Sequence, residues 1–338
     1  MTRVSVGARL HVGFRNLTRT GELVFGGIGV AIDRPRVVVR ARPAASVRCA
    51  NDRARRFAEA TCTLLEVDGA RVSVERTLPP HRGYGSGTQL ALAVYAAVAG
   101  ATGASPTFRD HAPALDRGRR SGVGIATFER GGFVVDGGHA PDASHLDDPT
   151  ADWDAPRCAI RREIPTDWRF LLVDPDVPPG RHREAEERSM RAVLAAGEPE
   201  IAADVEAALA EDVLPGVRDD DVERFGAGIA RIDRRNGTWF SVEQADRYRE
   251  GVGAVVRSLR ASGAVHGVGQ SSWGPLVYGV TRTNDAAAAR RAGERALERA
   301  GREGSIRLVR PRNAGYDIDN NNDNNRTMRR FDGGVMSE

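Results

Sequence analysis

The 338-residue chain contains no lysine; all 49 of its basic side chains are arginine. That absence removes three enzyme classes at once. A Walker A loop needs its lysine on the nucleotide phosphates, a pyridoxal-phosphate enzyme needs a Schiff-base lysine, and a protein kinase needs its strand lysine. Arginine keeps its proton in proteins, so the basic groups here clamp anions and do not act as bases. Cysteine is scarce too. Cys49, Cys62 and Cys158 form no C-x-x-C pair, which gives no zinc or redox signature and fits a reducing cytoplasm. No apolar run approaches the roughly 20 residues of a membrane span. Residues 1–6 enter a strand pattern directly, without the apolar block of a signal peptide, so a soluble cytoplasmic protein is expected.

What is present is a globular composition, 41% hydrophobic and 28% charged, with chain enough for one large domain or two medium ones. The 49 basic and 46 acidic residues nearly cancel, and no stretch concentrates charge. Neither nucleic acid nor a membrane is expected as a partner. Val- and Ile-rich runs broken by Gly and Pro predict strands through residues 3–48, a helix over 53–66 and a strand over 70–78. An apolar helix follows the loop at 79–87. Residues 122–128 and 131–138 read as a hairpin, and 137–156, rich in Asp, Pro and Gly, as a long connection. Strands at 157–164 and 168–174 open the second half, helices dominate 182–262, and 266–281 reads strand–loop–strand. A helix over 285–301 and a strand over 305–311 complete it. The run DIDNNNDNN at 317–325 is too polar to pack, and 317–338 is expected to be a mobile low-complexity tail. This order predicts an α+β protein of two domains, 1–160 and 161–316.

Two loops carry chemistry. In PPHRGYGSGTQ, residues 79–89, Gly83, Gly85 and Gly87 let backbone N–H groups approach an anion, and the following helix N-terminus adds donors and positive potential. Ser86 and Thr88 each offer a hydroxyl to a phosphate or a metal ion, Ser86 being the metal candidate. The same residues suit a plain turn with Ser86 or Thr88 as the helix cap. The second loop, with Gly267, Gly269, Gln270, Ser271 and Ser272, fits either a ligand-facing loop or a tight hairpin. His139 and His145, with Asp142, Asp147 and Asp148, lack any recognised metal spacing and read as a polar connection. His182, beside Glu184 and Glu186, decorates the start of a helix; His266 suits strand-end packing as well as ligand contact.

The pattern P-x-H-x-G-(aromatic)-G-S-G-T-Q before an apolar helix resembles the second signature of the GHMP kinase superfamily, whose phosphate loop needs no lysine. HGVGQSSWGPLVYG falls where its third, glycine-rich signature belongs, and VSVGARLHVGF and FGGIGVAID resemble its first. The resemblance spans roughly residues 3–310. It implies a two-domain fold: an N-terminal β-rich α/β domain bearing the phosphate loop and a C-terminal ferredoxin-like α+β domain.

Within the superfamily, ARLHVGF, GGIGVAID, GSGTQLALAV, RRSGVGIATFERGGFVVDGG and GVGQSSWGP are similar to the β-ribofuranosylaminobenzene 5′-phosphate synthases of archaeal methanopterin synthesis. That resemblance implies a homodimeric transferase joining phosphoribosyl pyrophosphate to 4-aminobenzoate, with Mg²⁺ on the diphosphate and release of CO2 and pyrophosphate. The substrate phosphate and carboxylate each want a guanidinium fork. Arg9, Arg15, Arg82, Arg119 and Arg120 lie in or beside the matched motifs, as do His11 and His81. The catalytic residue stays open, with His11, Arg15, Arg119 and Arg120 as candidates. Three positions depart from the patterns. Kinases of the superfamily that use a catalytic Asp carry it in S-G-x-D, where this chain has Ser121-Gly122-Val123-Gly124. A carbon nucleophile has no hydroxyl for that Asp to deprotonate, so glycine there favours transfer over phosphorylation. Asn16 and Leu23 stand where the synthase pattern has Asp and Arg. The alternatives are an ATP-dependent small-molecule kinase and a non-catalytic paralogue that binds phosphorylated ligands.

Overall fold

The computed structural model describes residues 1–148, 150–180, 183–244, 246–320 and 328–330. Its first sheet is built on a long hairpin of β1 (Thr2–Asn16) and β2 (Phe25–Pro43), registered from Thr2↔Ala41 to Asn16↔Phe25. At 19 residues β2 is long enough to serve two partners. Its second half pairs with β3 (Ala70–Arg76) and its first half with β4 (Phe133–Asp136), which in turn pairs with β5 (Cys158–Arg162). Helix α1 (Asp52–Leu64) starts where the Asn51 side chain accepts from Ala54 N. Helix α2 (Ser86–Thr102) packs across the hairpin, and no residue from Leu90 to Ala99 is more than 1% exposed. Its all-round apolar sequence is that of a helix meant to be buried. The short α3 (Phe108–His111) and α4 (Val123–Arg130) follow before β4.

The second sheet holds β6 (Trp168–Pro175), β7 (His266–Gln270), β8 (Val277–Arg282) and β9 (Gly304–Val309). Its order is β7-β8-β6-β9, with every pair antiparallel. Between β6 and β7 run α5 (Arg183–Ala195), α6 (Pro199–Ala208), α7 (Leu214–Arg218), α8 (Val222–Gln244) and α9 (Gly253–Arg260); α10 (Ala286–Arg299) joins β8 to β9. This is the split β-α-β-β-α-β arrangement that defines a ferredoxin-like sheet. The fold is mixed α+β. One buried apolar cluster runs from Leu10 and Val30 of the hairpin to Phe170, Phe225 and Ile229 of the second half.

Three sequence expectations are corrected. Residues 122–128 form α4 and not the first strand of a hairpin. A short apolar run of this length does not distinguish strand from buried helix, and Val123 to Phe128 are all buried between α2 and the sheet. Residues 317–320, expected in a mobile tail, form β10 (Asp317–Asn320) on the free edge of β1, paired from Thr2↔Asn320 to Ser5↔Asp317. Asp317 bridges Arg36 and Arg312, so the polar sequence is held by charge at a sheet edge. A final β11 (Met328–Arg330) pairs with β10, and the rest of that segment lies outside the described residues. Finally, the chain leaves the first sheet after Arg162 and returns to it after β9, where Tyr316 stacks on Phe128. A cut at 160/161 therefore falls inside β5, and residues near 316 pack with the first sheet.

Candidate active site

A cleft of about 820 Å³ opens where the β1–β2 hairpin, the start of α2 and the β7–β8 loop meet. Its floor is the glycine loop. Gly83 and Gly85 have φ of 105° and 74°, in the left-handed region that favours glycine. A Cβ on Gly85 would lie 2.7 Å from Arg9 Cγ, and one on Gly87 would lie 3.0 Å from Arg117 Nη1 and 3.8 Å from Arg53 Nη2. The loop is bare so that guanidinium groups can lie over it. The first-turn N–H groups of α2, from Ser86 to Thr88, have no intrahelical partner and add positive potential.

Among the described residues, Arg9, Arg53, Arg56, Arg117, Arg119 and Arg120 line the cleft, against one carboxylate, Asp116. Burial, then the neighbouring Arg56, lowers the Arg53 pKa. An anion placed here would favour the charged guanidinium and oppose both effects. Phe14, Phe57, Leu115 and Trp273 supply an apolar wall, and Arg117 lies 5.2 Å over the Phe57 ring. Strong positive charge beside a flat apolar surface suits a phosphorylated ligand together with an aromatic one.

The expected residues divide. Gly83, Gly85, Ser86, Gly87 and Thr88 line the cleft, as do His11, His81, Arg119 and Arg120. Of the second loop only Ser272 does, followed by Trp273 and Gly274. A Cβ on Gly267 would lie 3.0 Å from Gly226 Cα of α8, and one on Gly269 would meet Asp233 and Tyr278. Gln270 N donates to Asp233 Oδ1 (2.8 Å), whose Oδ2 also takes Tyr248 Oη (2.6 Å) and Arg260 Nη2 (2.7 Å). Ser271, fully buried, accepts from His11 N (3.0 Å) and donates to Gly83 O (2.8 Å). These four residues fasten the second loop to α8 and to the first loop, and they do not reach the cleft.

Two arginines are also structural. Arg15 pairs with Glu206 of α6 at 2.6 Å and lies outside the cleft, which removes it as a catalytic candidate. Arg82 grips Asp174 of β6 (Nε–Oδ1 2.9 Å) and donates to the carbonyls of Pro175 and Val177, tying the glycine loop to the second sheet. Asn16 is buried with its amide donating to Thr20 O and Leu23 O and its Oδ1 accepting from Thr18, so it closes the β1–β2 turn. Neither Asn16 nor Leu23 lines the cleft. His139 and His145 are brought together, ring centroids 4.4 Å apart, but among the described residues no group of three or more His, Cys, Asp or Glu is placed to hold a metal. His182 lies outside the described residues.

Arg53, Arg56, Asp116 and Arg117 lie outside the motifs and show only in the fold, and the role of one residue behind the cleft shows only there too. Asp136, fully buried at the end of β4, accepts from Gly122 N (2.7 Å), Gly138 N (3.0 Å), Gly27 N and Ser121 Oγ (3.0 Å). A Cβ on Gly27 would lie 2.1 Å from Ser121 Oγ and 2.7 Å from Asp136 Oδ2, so glycine in the first motif makes room for this pair. Ser121 Oγ is 3.3 Å from His11 Nε2 at the cleft wall. Burial raises the Asp136 pKa to about 6 against the pull of its donors. Burial, helped by Arg9, holds His11 well below the usual histidine range. The available signal was a lone carboxylate in an apolar strand flanked by glycines.

The GHMP kinases N terminal domain model matches residues 47–130. The chain is 29% identical over 328 residues to the β-ribofuranosylphenol 5′-phosphate synthase of Archaeoglobus fulgidus, covering 94% of this chain and all of that one. It is 28% identical to the enzyme of the same name from Methanothermobacter thermautotrophicus, over 82% of this chain and 88% of the relative. The chain is thus similar to GHMP kinase superfamily proteins in its N-terminal domain and to these synthases over most of its length. Solved GHMP structures agree on the fold. Homoserine kinase from Cytophaga hutchinsonii superposes with a TM-score of 0.65 at 16% identity, covering 94% of this chain and 97% of that one. Streptococcus pneumoniae phosphomevalonate kinase, in complex with phosphomevalonate and AMPPNP, gives 0.65 at 9% identity, covering 92% and 100%.

Proposed function

We propose that the chain is a phosphoribosyl-transferring synthase that joins phosphoribosyl pyrophosphate to a para-substituted benzoate with loss of CO2 and pyrophosphate. The observation that carries this is the position of Gly124. A Cβ there would lie 2.8 Å from Thr88 Cγ2 and 3.1 Å from Thr88 Cβ, so a carboxylate side chain at this position would press on the phosphate loop. The similarity to the two synthases supports the same reading. Their name puts a phenol where the sequence resemblance put an aminobenzene, so 4-hydroxybenzoate and 4-aminobenzoate are both acceptors to test.

The α2 N-terminus and the arginines over Gly87 hold the substrate phosphates and favour the charge that collects on the leaving diphosphate as the C1–O bond breaks. The acceptor lies on the Phe14, Phe57 and Trp273 wall with its carboxylate toward Arg119 and Arg120. Its carboxylate-bearing ring carbon forms the bond to C1, and the C–C bond to the carboxylate then breaks, returning its electron pair to the ring. His11, neutral because it is buried beside Arg9, takes the proton of the para substituent as positive charge builds in the ring and returns it as CO2 leaves.

In this reading magnesium enters as an ion carried in on the substrate. The cleft offers the Ser86 and Thr88 hydroxyls and the Asp116 carboxylate, with substrate oxygens and water completing the set. Bound there, it would neutralise diphosphate charge. The test is turnover with phosphoribosyl pyrophosphate and each acceptor, following CO2 and pyrophosphate together. Equal release supports the reading. ATP consumption with small alcohols, and no CO2, overturns it in favour of a kinase.

A further inference from the structure

Asp136 is the most deeply placed carboxylate near the cleft and touches no ligand surface. Its effect has to travel through Ser121. While ionised, a carboxylate only accepts, and Asp136 Oδ2 sits 3.0 Å from Ser121 Oγ. The single hydroxyl proton of Ser121 therefore points at Asp136, since two buried oxygens facing each other without a proton would be repulsive. Ser121 Oγ has two lone pairs left. One accepts from Val123 N (3.2 Å), and the other faces His11 Nε2 at 3.3 Å. With its proton already committed, Ser121 can only accept from the ring.

We infer that Asp136 is a positioning residue: through Ser121 it holds His11 in the tautomer protonated on Nε2, leaving Nδ1 as the ring's proton acceptor. This rests on the acid–base role proposed for His11. Three backbone donors from glycines, Gly27, Gly122 and Gly138, keep Asp136 ionised at neutral pH despite its burial. Below about pH 6 the carboxyl gains a proton and becomes a donor toward Ser121. The hydroxyl then turns toward His11 Nε2, and the tautomer inverts.

Other charges face His11: Arg9 on β1, Arg119 and Arg120 across the cleft, and Asp233, Arg247 and Tyr248 around the small cavity behind it. None of them bonds the His11–Ser121 pair in the way Asp136 does, and the arginines do not titrate in this range.

The test is a long-range ¹H–¹⁵N spectrum of the full chain labelled at histidine, with the His11 signals assigned by their loss in His11→Gln. At pH 7.5 the wild type should show Nε2 protonated and Nδ1 bare. In Asp136→Asn the charge that holds the Ser121 proton is gone, the hydroxyl can donate to His11 Nε2, and the ring should shift to protonation on Nδ1. With the synthase substrates, Asp136→Asn should lower kcat by about 10²-fold or more, leave KM within about 3-fold, and lose the acid limb near pH 6. If Asp136→Asn does not fold, Ser121→Ala should give a mixture of the two tautomers. A wild-type ring protonated on Nδ1, an unchanged tautomer in both variants, or an inverted tautomer with full kcat overturns the inference. The spectrum needs no substrate, so a wrong acceptor would leave the tautomer result standing.

Discussion

Gly124 lies against Thr88 so closely that a Cβ would meet the threonine methyl at 2.8 Å. The contact is locked from below, because Gln89 Nε2 donates to Gly124 O at 2.9 Å. Glycine here is therefore more than a missing carboxylate. The start of α4 packs directly on the phosphate loop, and a side chain at position 124 would press on Thr88.

Restoring the kinase residue should accordingly fail to restore a kinase. Gly124→Asp is expected to destabilise the fold by about 1–3 kcal/mol through overpacking and to lower transferase turnover at least about 10-fold through the displaced Thr88. Denaturant unfolding and turnover with ATP measure both. Appearance of ATP-dependent phosphorylation would show that the space exists.

The Arg82–Asp174 pair joins the glycine loop to the second sheet with both side chains largely buried. Breaking such a pair from one side leaves an uncompensated charge, so Arg82→Ala should cost about 3–5 kcal/mol. The double variant Arg82→Ala/Asp174→Ala should be less destabilised than the sum of the single changes by at least about 1 kcal/mol. A double-mutant cycle in urea decides; additivity would mean that the two residues act independently.

Arg53 and Arg56 belong to α1, yet they overlook the phosphate loop. Losing one charge-assisted contact is worth about 1.5–3 kcal/mol. Arg53→Ala and Arg56→Ala should therefore each raise KM for the phosphorylated substrate about 10-fold or more, with kcat changed less. Steady-state kinetics at fixed ionic strength checks this. Unchanged KM in both variants would move the anion elsewhere.

His139 is held down to about pKa 4 by burial and by His145, against about 6.5 in an unfolded chain. A histidine depressed in the fold binds fewer protons there than when unfolded. Its stabilising contribution is thus present above pH 6.5 and lost as pH falls toward 4. Between pH 7.5 and 5 the wild type should lose about 1–2 kcal/mol more than His139→Phe. Urea unfolding at the two pH values measures the difference.

Local pattern made part of this molecule readable. The hairpin strands, the buried α2 and the glycine loop each declare themselves within a dozen or so residues. What escaped depends on partners far away in the chain. The second loop has the glycines and hydroxyls of a ligand loop, but Asp233 of α8 and Gly83 draw Gln270 and Ser271 inward. Arg15 looks like its neighbours in a matched motif and differs only in meeting Glu206, 191 residues later. Asp317 and Asn320 look unfit to pack until the open edge of β1 and Arg36 are beside them. Asp136 shows its role only once Gly27, Gly122 and Ser121 converge on it.

The most direct test of the proposed reaction is the mass of the product formed from phosphoribosyl pyrophosphate and carboxyl-¹³C 4-hydroxybenzoate or 4-aminobenzoate. We expect the acceptor ring joined to ribose phosphate without its carboxylate, and all of the label in CO2 in a one-to-one ratio with pyrophosphate. A product that keeps the labelled carboxylate would mean ribosyl transfer to oxygen or nitrogen, and a phosphorylated small molecule formed from ATP would mean a kinase. Either result would contradict carbon–carbon bond formation at this cleft.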